Sequence, residues 1–484
     1  MSTKKISIIE VMLWLIAIIM IILSLTPFVL GFKIKSDYAS LVEEFSDLSQ
    51  LEFKIINYDQ GFFSSTASLS VALPNMSEQL YFKEKVIHGP LYFGLLGQGQ
   101  SPLVAAVVKG ELDISDSQKA AVRKIFGNTN PLVYQTVIDF TGNIDSQFYI
   151  PAVNTSFEDD SGTVNLQSAG VIMNQQYSAD NGKMKGEMII PTFKIKSASN
   201  ALHAESINVS FSGSMGGNDI VVGDSVVSMN LLDIDSTEEQ FAVRDLVVHS
   251  VTSESAGLIN SSTRVNAREL LASNQKFGPL VFDISLNGVN AESLNKLQDV
   301  QAEVDNKLQQ GVPPEQVNAM MAGQIMGIIP ELIKQAEMKI NPLSVSSELG
   351  KLEADLNFAL EGINEDTPPD PMFLLGAISL DLNVSIDDQL LRQFISWELE
   401  NNLQSDVHLG SAKNKRIESK IPLEQRVSEN IQGMLDENWL VMNEGVYLSK
   451  VSMHQGELLI NDKPVDPMQQ IMSSMGDNKA AAAQ

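Results

Sequence analysis

The chain of 484 residues contains no cysteine. That absence excludes disulfides and thiolate metal sites, and it leaves no thiol to carry a lipoprotein acyl chain. Basic side chains are scarce as well: 33 Lys and Arg face 60 Asp and Glu, a net charge of −27. Nucleic acid and direct adhesion to an anionic lipid surface both call for basic patches, so neither fits as a partner. Only five histidines occur, at 88, 203, 249, 408 and 454, and no two stand at helical ligand spacing. A P-loop, a dinucleotide-binding glycine fingerprint, a His-Glu-x-x-His pair and a Gly-x-Ser-x-Gly elbow are all missing. No catalytic residue, cofactor or metal is therefore expected, and the chain reads as non-enzymatic.

Long apolar runs are missing too, with one exception. Val11 to Phe32 carries 22 residues without a charge, with Lys4 and Lys5 before it and Lys33 and Lys35 after it. As a helix it would reach about 33 Å, against a hydrocarbon core of roughly 30 Å. A cleaved signal peptide has a shorter apolar core, about 7–15 residues. The run therefore predicts an uncleaved transmembrane helix, with Glu10 and Trp14 at the interface. Lysines tie at two on each side and do not orient it. A long domain translocates largely regardless of flanking charge, so the expectation is a cytoplasmic N-terminus, a periplasmic bulk and a single pass through the inner membrane.

Behind that run the apolar content of 44% is that of a globular protein. Ser36 to Gln50 reads as an amphipathic helix. Ala67–Leu73 alternates larger apolar side chains with small ones, Phe53–Tyr58 reads as a second strand, and Asp59-Gln60-Gly61 between them supplies the chemistry of a hairpin turn. Strand patterns recur to about residue 290, broken mainly by a helix near Ser117 to Phe126. Ala291 to Gln310 and Pro314 to Lys339 read as helices, the second kinked or split at Pro330. Leu352–Leu360 and Ala377–Ile386 then place an apolar face against an acidic and polar one. Helices at Asp388–Glu400 and Pro422–Glu437 precede a last hairpin, Val446–Met453 with Glu457–Ile460. Trp397 and Trp439 are expected in the core or at helix contacts.

The architecture expected is α+β: an N-terminal transmembrane helix, then a large, mainly antiparallel, curved β-sheet domain with packed helices. Its parts are a short cytoplasmic tail at 1–10, the span at 11–32, a periplasmic β-rich domain at 33–475 and a disordered tail at 476–484. The turn-rich Asp366-Thr-Pro-Pro-Asp-Pro371 marks an internal boundary near 364–372.

Several segments carry a resemblance. Asn57-Tyr-Asp-Gln-Gly-Phe-Phe-Ser-Ser65 resembles the Tyr-x-x-Gly-x-Phe-Ser-Ser hairpin of the YdgA-like family, and His88-Gly89-Pro90 is similar to the His-Gly-Pro after that family's next strand. Gly456-Glu-Leu-Leu-Ile-Asn-Asp462 resembles its C-terminal hairpin, with Asp462 where a glycine is usual. The resemblance implies an inner-membrane anchor and a periplasmic β-rich domain of an uncharacterised bacterial family, with no accepted reaction.

Two surfaces stand out as candidates for binding. Phe62 and Phe63 form either an apolar lip or a pair straddling the two faces of a strand. Met320, Met321, Ile325 and Ile328 give the second central helix a Met-rich face, which is either core or an adaptable hydrophobic surface. Taken with the adjacent membrane run, they suggest an envelope protein whose β-rich domain binds a lipid or a hydrophobic segment of a partner. The alternative is a structural scaffold for other envelope proteins. His88, at a strand end, reads as a histidine satisfied by backbone, and a hydrolase built on it is the third reading.

Overall fold

The computed structural model describes residues 35, 38–40, 42, 52–72, 79–116, 118–159, 162–218, 220–236, 240–272, 275–310, 312–362, 376–408 and 422–465. The Val11–Phe32 run, the 364–372 boundary and the 476–484 tail lie outside the described residues. The chain divides into two compact units, Met1–Ser214 and Met215–Gln484.

In the first unit the strands are β1 Glu52–Asp59, β2 Ser64–Ala72, β3 Gln79–His88, β4 Ala106–Leu112, β5 Val133–Ile138, β6 Ile144–Ile150, β7 Val153–Asp159, β8 Gly162–Ser168, β9 Val171–Ser178, β10 Lys183–Lys196 and β11 Asn200–Met215. They pair antiparallel in the order β1-β2-β3-β4-β5-β6-β9-β10-β11. The β7–β8 hairpin lies along the far end of β10. Helix α1, Lys119–Phe126, precedes β5 and meets β7, where the Thr155 hydroxyl donates to the Lys124 carbonyl at 2.9 Å. Two-residue alternation decides which side chains enter the core. On β2 the buried Ala67, Leu69 and Val71 share one face, as the period of that segment predicts.

In the second unit the strands are β12 Val221–Ser236, β13 Gln240–Ser255, β14 Leu258–Ala267, β15 Glu269–Ala272, β16 Gln275–Asn290, β17 Glu337–Ser347, β18 Gly350–Leu360, β19 Ile378–Asp387, β20 Val441–Asn443, β21 Val446–His454, β22 Glu457–Ile460 and β23 Lys463–Val465. The ladder runs from β12 through β13, β14 and β15 side by side, β16, β17, β18, β19 and β21. Helices α2 Ala291–Gln309 and α3 Pro314–Ile333 pack together after β16. Helices α4 Asp388–His408 and α5 Leu423–Asp436 follow β19. Their core is Leu390, Ile395, Val427 and Ile431 against Ile386 and Tyr447 of the sheet. Leu390 is fully buried, worth about 1.5–3 kcal/mol of transfer free energy.

The α+β class is overturned, and the transmembrane helix expected with it finds no support among the described residues. Strand outweighs helix, 59% against 22%, and the pairing is antiparallel throughout. No helix among the described residues is long and apolar enough to cross a membrane. The expected helix to Lys339 stops at Ile333, because Glu337–Ile340 joins a ladder with β16; strand pairing overrides a helix-favouring composition. Pro330 lies inside α3 and does not split it. Trp397 is 53% exposed on α4, not core. The last turn holds: Asn461 and Asp462 both adopt positive φ between β22 and β23, the conformation a two-residue hairpin asks of both residues.

Candidate functional site

The second unit presents one apolar sheet face through successive cross-strand rows. Ile284, Ile340, Leu356, Leu382, Val451 and Ile460 stand opposite one another on β16, β17, β18, β19, β21 and β22. Val265, Phe282, Leu343, Ala354 and Val384 form the next row. Met338, Phe358, Leu380 and Met453 form the row on the other side. Register shifts between Ile340 and Leu343 and between Phe282 and Ile284 keep these apolar residues in phase; a bulge changes the count of residues without changing the face that follows it. Glu353, Asp355 and Asn383 occupy the reverse face, where the Asn383 amide donates to Asp355 at 2.8 Å.

Helices cover the two ends of that face. Leu294 of α2 and Leu332 of α3 pack on Ile259 and Val289 at one end. At the other, α4 and α5 close over Leu352 and Ile386. Between them Ile284, Phe282, Ile340, Leu356, Phe358, Leu380 and Leu382 stay only half-buried. A buried large aliphatic side chain normally loses nearly all of its exposure, so these rows hold apolar surface in reserve.

The sequence-derived candidates do not line the half-buried rows. Met320, Met321, Ile325 and Ile328 are half-buried on α3, and the Lys307 ammonium of α2 lies 2.9 Å from the Met320 thioether. The methionines therefore belong at least partly to the α2–α3 contact. Phe62 and Phe63 lie in the first unit, in the loop between β1 and β2, 42% and 60% exposed. They do not straddle a strand; their rings meet edge to face with centroids 4.7 Å apart.

That loop is clamped from below. His88 is buried, its backbone N–H donates to the Phe63 carbonyl at 2.9 Å, and its Nδ1 lies 3.2 Å from the Phe62 carbonyl. A carbonyl only accepts, so Nδ1 carries the proton and Nε2 accepts from the Ser65 hydroxyl at 2.8 Å. A serine next to a histidine in that tautomer has the form of a nucleophile and its base. Here both side chains are buried, so the pair meets no substrate and acts as a structural tie. Glycine is required at both bends: a Cβ on Gly61 would stand 2.3 Å from the Ser64 carbonyl, and one on Gly89 1.9 Å from that of Val104. The motif residues thus serve packing.

Beside them sits a group that the sequence reading passed over. Glu84 of β3 is buried and accepts from the hydroxyls of Tyr38 and Tyr134, one to each carboxylate oxygen. Burial pushes the Glu84 carboxyl above its ordinary value, and the two O–H donors pull it back. Burial first, then the Glu84 charge, drive both tyrosines well above the ordinary phenol value. The signal lay in the alternation of β3: Phe82, Glu84, Val86 and His88 share one phase, while Lys83 and Lys85 take the other. An acid in the apolar phase is a buried acid that needs donors.

A mainly antiparallel β protein is the class these observations define. The chain belongs to the family described as bacterial protein of unknown function (DUF945), whose model matches residues 4–468. No curated protein and no solved structure matches it.

Proposed function

We propose that the second unit holds lipid acyl chains on its half-buried apolar rows, and that the protein works in the bacterial cell envelope as a non-enzymatic binder. The observation that carries this reading is the apolar face on β16, β17, β18 and β19, extended by Val451 and Met453 of β21, flanked by helices but open between them. Acyl chains suit it because the rows offer hydrocarbon contact and no polar partner, while every acid of β18 and β19 lies in the opposite phase. Within the family we place the chain among the YdgA-like proteins, on its Tyr58-x-x-Gly61-x-Phe63-Ser64-Ser65 and His88-Gly89-Pro90 segments. The periplasm suits a strongly acidic chain that folds without cysteine.

Mass spectrometry of the purified full chain should detect co-purifying phospholipid. Leu382→Asn, which puts a polar group in the central row, should cut the retained lipid at least tenfold, and Asp355→Asn on the reverse face should leave it unchanged. Lipid-free protein that also fails to take up lipid from vesicles would sink the reading. Protein adducts in place of lipid adducts, on crosslinking from Leu356, would favour the scaffold.

A further inference from the structure

We infer that the first unit binds a neutral oligosaccharide in a polar trough on its sheet, a site independent of the acyl-chain face. The trough is built by register. Lys85, Lys109, Gln135, Gln147, Asn174, Glu187 and Ser210 stand opposite one another from β3 to β11. The next row on the same face brings Asp145, Gln176 and Lys185 together. Three hollows of about 510, 520 and 440 Å³ adjoin along these rows: the first two share Gln135 and Gln147, the second and third Asp145 and Gln176.

The chemistry of the lining selects the ligand. Carboxamides dominate it, and each offers two donors and an acceptor in one plane. Some of that capacity is already used internally: Gln147 donates to Asn174 at 3.1 Å, and Gln135 to Gln98 at 3.0 Å. Those bonds orient the amides and leave their remaining groups facing the trough. At its rim the Gln100 amide oxygen is buried without a hydrogen-bond partner, an acceptor that costs free energy until a hydroxyl reaches it. Both signs line it, Asp145 and Glu187 against Lys185, Lys85 and Lys109, so the lining favours no strong ligand charge. Tyr149, two residues along β6 from Gln147 and in the same phase, is 43% exposed. A ring with one face open beside a polar row suits a ligand that is apolar on its faces and polar at its rim.

A sugar ring has that character: hydroxyls around the edge, C–H groups on the faces. An extended peptide is the poorer fit, because peptides join sheets at edges through main-chain bonds, and this trough lies on a face. The four strands β5, β6, β9 and β10, at roughly 4.8 Å spacing, extend it over about 14 Å, so a short chain of sugars occupies it better than one.

Isothermal titration of the full chain with maltotriose and with chitotriose tests the site, with an Ala-Gly hexapeptide as the competing class. Binding of at least one trisaccharide is expected, weakened at least tenfold by Gln147→Ala combined with Asn174→Ala and at least threefold by Tyr149→Ala. Glu353→Gln in the second unit should leave it unchanged, and circular dichroism and melting report whether each variant folds. Binding of neither sugar, of the hexapeptide alone, or of sugar with undiminished affinity in a folded double variant overturns the proposal. Lipid retention is read in the same samples, so the two sites fail separately.

Discussion

The two units build antiparallel sheets by the same rule and finish their apolar faces differently. In the first, the face bearing Tyr58, Ala67, Glu84 and Tyr134 is sealed by a side chain from outside the sheet, Tyr38, whose ring packs with Ala67 and Leu69 and whose hydroxyl binds Glu84. A buried carboxylate fixes that closure. In the second, helices do the sealing at both ends, and the middle rows stay half-exposed. A polar tie suits a face that closes once, in one geometry; a half-open apolar face holds no such group, since an unpaired polar atom there would cost about 1–3 kcal/mol.

The sharpest way to separate the units is to empty the helical core of the second. Leu390→Ala should cost about 2–5 kcal/mol through lost transfer energy and the cavity left behind. Calorimetry with hydrogen exchange should show the loss in residues 350–460 while β2 to β5 keep their protection. Equal loss in both units would mean that they unfold as one, and the contrast drawn here would fail.

A smaller effect is expected from Gly110→Ala in the first unit. The Tyr134 ring lies over Gly110, and an added Cβ would stand 2.1 Å from its Cζ, so the ring must move and release Glu84. Overpacking of this kind costs about 1–3 kcal/mol. A melting temperature equal to that of the parent protein would show that the ring has room to yield.

The mildest test is pH. Glu84 has a folded pKa above its unfolded value near 4.5, so between those two values the folded state binds the extra proton. Its contribution to stability is full below about 4.5 and falls as pH rises through the window to the folded pKa. Glu84→Gln, which does not titrate, should flatten that decline in urea titrations of the first unit's signal. An unchanged slope would assign the pH dependence to other groups.

Much of this was legible beforehand because it depends on near neighbours. The pairing of β1 with β2 followed from the alternation of β2 and the turn residues Asp59-Gln60-Gly61, and the alternation of Leu352–Leu360 from period two. The Asn461-Asp462 turn followed from residues that tolerate positive φ. The C-terminal end of α3 is not legible in the sequence, because Glu337–Ile340 finds its partners on β16, more than about fifty residues upstream. Trp397 was misplaced because the helix pattern around it does not say which face α5 covers. Nothing local marks Gln135, Gln147 and Asn174, and only the order β5-β6-β9 aligns them.

By itself, the amino-acid sequence determined the chemistry available to this protein: no thiols, few cations, and alternating strands that carry one apolar face. It also determined that Glu84 and His88 share a phase with core residues. Tertiary structure alone decided where those faces meet, that Tyr38 and Tyr134 satisfy Glu84, and that one apolar face closes while the other stays half open. The reason is range. Alternation and turns are set within a few residues, whereas register brings together side chains tens of residues apart, and strand order is a choice the local pattern does not contain.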